Sequence, residues 1–412
     1  MQAENNNNYI QTITFGCRLN AVESEKIAEM LRGIVPAAIV VNTCAVTGEA
    51  ERQSAQYVRR VARENPNIPL FITGCAATHD NTPFTKIPNV RIISNADKLN
   101  HDAYIRAVGD FDFSSINDKP NISNPDTQMS KQFIQIQNGC NHDCTYCITR
   151  LLRGPSVSFE YSDILADVRN AVKNGYNEIV LTGVDSASYH KIYDGKPFLI
   201  SDLCRKLLVD VPEIKRLRLS SMDPASPEIF KIIDLIHENP RMMPHLHLSM
   251  QSGSDTILKS MHRRHTADMV RDIVAHANSI SFSWDIICGF PGETDELFAE
   301  TLNLIMETKP IKIHAFPFSP RPGTPAAEMP NQIDKSVSKQ RVKTITNAAT
   351  RNRKDFMNIH FGQIIPILVE NNNIGRTPHD ISVKILGDNI PNRTICDCKI
   401  IGVDDDIFIA TV

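Results

Sequence analysis

The chain has 412 residues, 42% of them hydrophobic and 22% charged, with a net charge of −3. That length amounts to roughly two or three domains, which excludes a single small binding module, and the composition excludes bulk disorder. So near-neutral a balance gives no whole-chain field for nucleic acid; any basic surface has to be local.

The first residues (Gln2, Glu4, Asn5 to Asn8) are polar and carry no secretory pattern. The longest apolar runs, Ala37 to Val41 and Ile364 to Val369, are far too short to span a bilayer. The expectation is a soluble, cytoplasmic chain without a membrane partner, whose ten cysteines are ligands or core thiols rather than disulfides.

From Tyr9 the text alternates. Tyr9 to Phe15, Ala38 to Asn42 and Pro69 to Thr73 read as buried strands, and Glu23 to Arg32 and Glu49 to Glu64 as helices, the second capped by Thr47. This predicts a parallel βαβ domain over residues 1–109, with its strand C-termini on one edge. Residues 110–130, rich in Asp, Asn, Ser and Pro, read as a linker. Six further strands follow, near Phe133 to Gln137, Glu178 to Thr182, Arg216 to Ser220, His245 to Met250, Trp284 to Cys288 and Lys312 to Phe316, each before a helix. They predict a partial (β/α)6 TIM-like barrel over 131–356, with active residues at the strand C-termini. Residues 357–412 change to short strands with Asn and Gly turns, which predicts a small antiparallel β barrel and an α/β fold class for the whole.

Cys140, Cys144 and Cys147 form a C-x3-C-x2-C run directly after a strand. Three thiolates so spaced can ligate three irons of a 4Fe-4S cluster and leave the fourth open. A zinc site completed by His142 is the alternative, and with it a non-catalytic RNA-binding protein, although the short gaps are unlike separated zinc ligand pairs. Cys17, Cys44 and Cys75 sit at or just after the tips of the first three strands, and neighbouring parallel strands bring such residues within reach of one centre. Three buried thiols is the plainer reading of that set. Cys204, Cys288, Cys396 and Cys398 read as core or strand thiols.

The text Cys140-Asn-His-Asp-Cys144-Thr-Tyr146-Cys147 resembles the cluster loop of radical S-adenosylmethionine enzymes. There the open iron chelates S-adenosylmethionine, and electron transfer releases a 5′-deoxyadenosyl radical. Phe15-Gly16-Cys17, Asn42-Thr43-Cys44 and Thr73-Gly74-Cys75 resemble the N-terminal domain of methylthiotransferases, and this resemblance runs along the entire chain. It implies a second 4Fe-4S cluster on Cys17, Cys44 and Cys75 that carries the sulfur to be inserted, and a TRAM-like C-terminal barrel. Barrel texts such as Leu181-Thr-Gly183 and His245-Leu-His-Leu-Ser-Met-Gln251 resemble the branch that modifies threonylcarbamoyladenosine in tRNA. Sister branches modify isopentenyladenosine in tRNA or a ribosomal protein. His265 departs from the family's usual tyrosine, and the tail is net acidic.

The resemblance implies two 4Fe-4S clusters, S-adenosylmethionine, tRNA presented by its anticodon loop, and an outside electron donor. Tyr146 fits the cluster loop, and Gly183, Ser220 and Gln251, ending three barrel strands, are expected to contact the cofactor. Arg150 and Arg153 follow the cluster loop, where a cation can meet substrate. The segment Lys335 to Lys354 carries seven cations against Asp334 and Asp355, a candidate phosphate contact.

Overall fold

The computed structural model describes residues 9–109, 111, 113, 120 and 130–412. The expected linker over 110–130, like the polar N-terminus, falls almost wholly outside them. The first unit is a parallel sheet in the order β1 (Tyr9–Thr14), β2 (Ala37–Thr43), β3 (Leu70–Gly74), β4 (Val90–Ile92). Every residue of β2 is buried, as a central parallel strand covered on both faces requires. The crossovers are helices α1 (Arg18–Arg32) and α2 (Gly48–Glu64), and Thr47 caps α2 by accepting from the Ala50 N–H at 3.2 Å. Val90–Ile92 was not expected; three residues give too little alternation to read.

The second unit holds six parallel strands in sequential order: Gln132–Gln135, Glu178–Thr182, Arg216–Leu219 continuing as Ser221–Met222, His245–Gln251, Ser281–Cys288 and Lys312–Pro317. The first and sixth strands are edges, so the barrel has an open side. Leu248, Trp284 and Ile313 share one register row, and these buried side chains belong to the core beneath the helices. The alternate row, His247, Ser283 and Lys312, faces the lumen. A barrel interior ordinarily packs bulky aliphatic residues; here histidine, serine and lysine fill it.

The third unit is a closed five-stranded barrel of Ile364–Asn371, Ile374–Arg376, Ser382–Leu386, Ile407–Thr411 and Ile395–Asp404. One pairing in it, Val383 against Phe408, is parallel. The basic segment is the helix Lys335–Asn358. Its Arg341 is buried against Glu293 and Asp295, each at 2.7 Å, so this cation braces the barrel and is withdrawn from the candidate phosphate contacts. No helix among the described residues is long and apolar enough to cross a membrane.

Candidate cysteine centres and cofactor cleft

Cys140, Cys144 and Cys147 lie on the loop after the first barrel strand and line a cleft of about 280 Å³ at the strand C-termini. Gln137 holds this loop in place. Its Nε2 donates to the Gly139 carbonyl at 2.7 Å and its Oε1 accepts from the Asp185 N–H at 2.9 Å. Thr145 fixes the far side, donating from Oγ1 to the Ser260 carbonyl at 2.9 Å. Burial pushes the Cys140 thiol up to about 11 and raises Cys144 as well. Against that, Arg263 Nη1 stands 3.6 Å from Cys144 Sγ and stabilises thiolate there. Asp223, only 6% exposed, anchors Arg263 at 2.9 Å and Arg264 at 2.8 Å.

Tyr146 lines the cleft, and its ring joins the apolar cluster of Ile257, Met261 and Phe290. Gln251 lines it too, in the left-handed region at φ 67°, which costs a non-glycine residue about 1 kcal/mol or more and aims the amide inward at a strand end. Two expected cofactor contacts stand one step back. A Cβ on Gly183 would lie 2.8 Å from Gln137 Oε1, so this glycine admits Gln137 and leaves Val184 and Asp185 to line the cleft. Ser220 is buried, with its Oγ 3.0 Å from Ser186 Oγ.

Cys44 and Cys75 follow the paired residues Thr43 and Gly74, so they leave β2 and β3 side by side. Cys17 opens α1 from the neighbouring strand, and Cys44 senses the charge of both other thiols. Burial pushes the Cys44 thiol up to about 11. The cysteine sets are braced against each other by the short helix Thr149–Arg153. Leu152 packs on Ala45 and Cys75, while Arg153 reaches Glu23 at 2.9 Å, Asn20 at 2.6 Å and Asn138 at 3.1 Å. With its side chain 2% exposed and paired with Glu23, Arg153 is a buried strut rather than an open cation beside the cluster loop. Arg150 is exposed on the cleft wall, opposite Val46 and Thr47 from the first unit.

Sequence reading missed Asp185, Asp223, Arg263 and Asp285. The last accepts from His247 Nε2 at 2.9 Å and faces the same cleft. The three aspartates sit within or just beyond barrel strands and Arg263 in the turn after the helix Asp255–Ser260, and a single polar residue in such places reads like any turn.

Tetrahedral zinc draws its sulfurs to roughly 4 Å of each other, from a Zn–S bond of about 2.3 Å. Among the described residues the one group of three donors within 4.8 Å is Cys140, His142 and Asp185, and neither cysteine trio is drawn together so closely. The wider spread suits the separate corners of a cluster, with the thiolate-stabilising Arg263 beside one of them. A larger cleft of about 870 Å³ lies at the opposite barrel end, lined by Arg216, Met242, Pro366 and Arg393 without any cysteine.

Residues 134–305 match the radical SAM superfamily and residues 9–94 an uncharacterized protein family, UPF0004. The threonylcarbamoyladenosine tRNA methylthiotransferase MtaB of Rickettsia prowazekii (strain Madrid E) is 39% identical over 92% of this chain and 92% of its own length. That of Bacillus subtilis (strain 168) is 32% identical over 87% and 84%. The tRNA-2-methylthio-N(6)-dimethylallyladenosine synthase of Rickettsia bellii (strain OSU 85-389) is 29% identical over 91% and 92%. In fold the chain resembles the radical S-adenosylmethionine methyltransferase TsrM from Kitasatospora setae, with a TM-score of 0.54 at 14% identity over 73% of this chain and 68% of that one. A full-length relationship at this identity, carried by a cysteine-bearing parallel sheet joined to a radical SAM barrel, makes the chain a member of the radical S-adenosylmethionine methylthiotransferase family.

Proposed function

We propose that this enzyme converts N6-threonylcarbamoyladenosine at position 37 of tRNA to its 2-methylthio derivative in the cytoplasm, with two 4Fe-4S clusters and two uses of S-adenosylmethionine, one as methyl donor and one as radical source. The observation that carries the reading is the Thr149–Arg153 helix, which ties the loop of Cys140, Cys144 and Cys147 to the strand tips of Cys44 and Cys75. Two centres so coupled suit a reaction that needs both a radical and a sulfur donor. The substrate is supported by relatives named for threonylcarbamoyladenosine at 32–39% identity.

Membership of the radical SAM family implies a 4Fe-4S cluster and S-adenosylmethionine. Cys140, Cys144 and Cys147 would hold that cluster, and Cys17, Cys44 and Cys75 the second. Once bound, these groups supply the one-electron chemistry that replacing an unactivated aromatic hydrogen requires and that no side chain offers. The chain's own part is placement. Arg263, fixed by Asp223, stabilises thiolate at Cys144. Gln251 offers an amide to the cofactor, Tyr146 walls the cleft with its ring, and Arg150 offers a cation at the rim. An anticodon-loop base is single-stranded and can be splayed into such a cleft. Electrons come from an outside donor.

The test uses reconstituted enzyme and two anticodon stem-loops, one with threonylcarbamoyladenosine and one with isopentenyladenosine, read by nucleoside mass spectrometry. Methylthio product from the first alone is expected. Equal turnover, or preference for the second, overturns the substrate and leaves the family standing.

A further inference from the structure

The lumen beneath the cleft holds more positive charge than it neutralises. At its base Lys131, Arg216, Arg218 and Arg376 share the carboxylates Glu178, Glu370 and Asp380. Even there Arg218, 3% exposed, keeps Nη1 without a hydrogen-bond partner. Lys312 adds a further cation on the sixth strand. Its strongest charged neighbours are the carboxylate Asp380, which already accepts from Lys131 at 3.1 Å, and then the three cations Arg376, Arg353 and Arg18. Among the described residues Lys312 and Arg18 make no ion pair. A half-buried ammonium whose nearest carboxylate is already shared with other cations favours a further anion, so a site built this way is completed by one.

The position says which anion. Lys312, His314 and Phe316 alternate along one face of the sixth strand, and Phe316 lines the cleft. Lys312 thus stands roughly 13 Å below the cleft wall, four residues at the strand rise, less the length of its own side chain. It is half-buried beside the barrel's open side, where Arg18 reaches across from α1 with its guanidinium 5.6 Å from the Phe133 ring on the first strand. An RNA phosphate stays at the surface. The threonylcarbamoyl group extends several bonds from N6 and ends in a carboxylate, an anion on a chain long enough to reach beneath the cleft.

We propose that Lys312, with Arg18 facing it across the open side, binds the substrate's threonylcarbamoyl carboxylate and selects it over an apolar N6 group. This rests on the substrate reading above. It moves the selecting cation from Arg150 and Arg153 to the lumen, where an unpaired ammonium rejects an isopentenyl group by staying unsatisfied.

The experiment measures binding of reconstituted holoenzyme to three stem-loops (threonylcarbamoyladenosine as the free acid, its methyl ester, and unmodified adenosine) and methylthio product from the acid loop. Wild type should bind the acid about tenfold to a hundredfold more tightly than the ester, the value of one charge-assisted hydrogen bond. Lys312→Met should bind acid and ester alike with unchanged affinity for the unmodified loop, and Lys312→Arg should restore most of the preference. Without RNA, Lys312→Met should melt no lower than wild type, because it relieves repulsion. A lower melting temperature, an intact acid preference, or an equal loss for all three loops, which would mark a phosphate contact, each overturns the proposal. If wild type makes product from the acid loop while Lys312→Met discriminates normally, only this inference falls. If wild type makes no product from the acid loop, the substrate reading falls too.

Discussion

Glu23 is completely buried and holds two cations, Lys98 at 2.5 Å and Arg153 at 2.9 Å, directly under the strand tips that carry Cys17, Cys44 and Cys75. Removing one partner of such a pair leaves an uncompensated buried charge, so Arg153 gives the junction of the two units a unique geometry. The sequence located Arg153 beside the cluster loop but could not reveal this role, because its partner lies 130 residues earlier. The placement of the six cysteines, three on one loop and three at neighbouring strand tips, was legible from the C-x3-C-x2-C spacing and from the strand pattern. Asp223 and Arg263 were not, since their meaning depends on meeting each other across a barrel mouth. His265, where the family usually has tyrosine, is 2% exposed and donates from Nε2 to the Met250 carbonyl at 3.1 Å. Burial, aided by the Arg263 charge, lowers it from 6.5 to about 4. A histidine kept neutral in the fold and free to charge when unfolded gives stability that is complete above pH 6.5 and is lost as pH falls toward 4. Wild type should lose about 2 kcal/mol between pH 6.5 and pH 5 from this residue. His265→Tyr should shrink the fall in melting temperature over that interval; His379, also lowered to about 4, keeps it from vanishing. An unchanged pH profile would show that His265 is solvated in the fold.

At the scale of elements, the turn after β1 is set by Gly16, whose φ is +90° and whose missing Cβ would lie 2.5 Å from Cys44 Sγ. Only glycine lets that turn pass the thiol of the next strand. Gly16→Ala should therefore displace Cys44 and lower iron content by up to half, while S-adenosylmethionine cleavage by the barrel centre persists. Full iron in a folded Gly16→Ala protein would separate Cys44 from any cluster. The strands themselves were readable, some as continuous apolar runs such as Ala37–Thr43 and others as alternation such as Arg216-Leu-Arg-Leu, and all six barrel strands and the first three of the N-terminal sheet lie where those patterns put them. The short Ile374–Arg376 strand was not, as three residues set by the closure of a barrel have no period of their own. The polar lumen was also hidden. Alternation along His245-Leu-His-Leu shows which residues share a face but not that the polar face turns inward.

Across the whole molecule, the three units meet at the barrel's two ends and its open side. The N-terminal sheet contributes Val46 and Thr47 to the cofactor cleft, and the C-terminal barrel closes the base of the lumen through Asp380 and the Pro366 and Pro378 carbonyls, which accept from Arg216 and Arg218. The enzyme's division of labour follows from this order: cysteine centres above, a polar shaft below, an open seam along the side. The most direct measurement is made on the triple variant Cys17→Ala, Cys44→Ala, Cys75→Ala after anaerobic reconstitution, with iron, 5′-deoxyadenosine and methylthiolated nucleoside assayed on the same preparation. About half the wild-type iron, continued formation of 5′-deoxyadenosine and no methylthio product are predicted. Methylthio product from that variant, or wild-type iron content, would contradict two centres with separate duties.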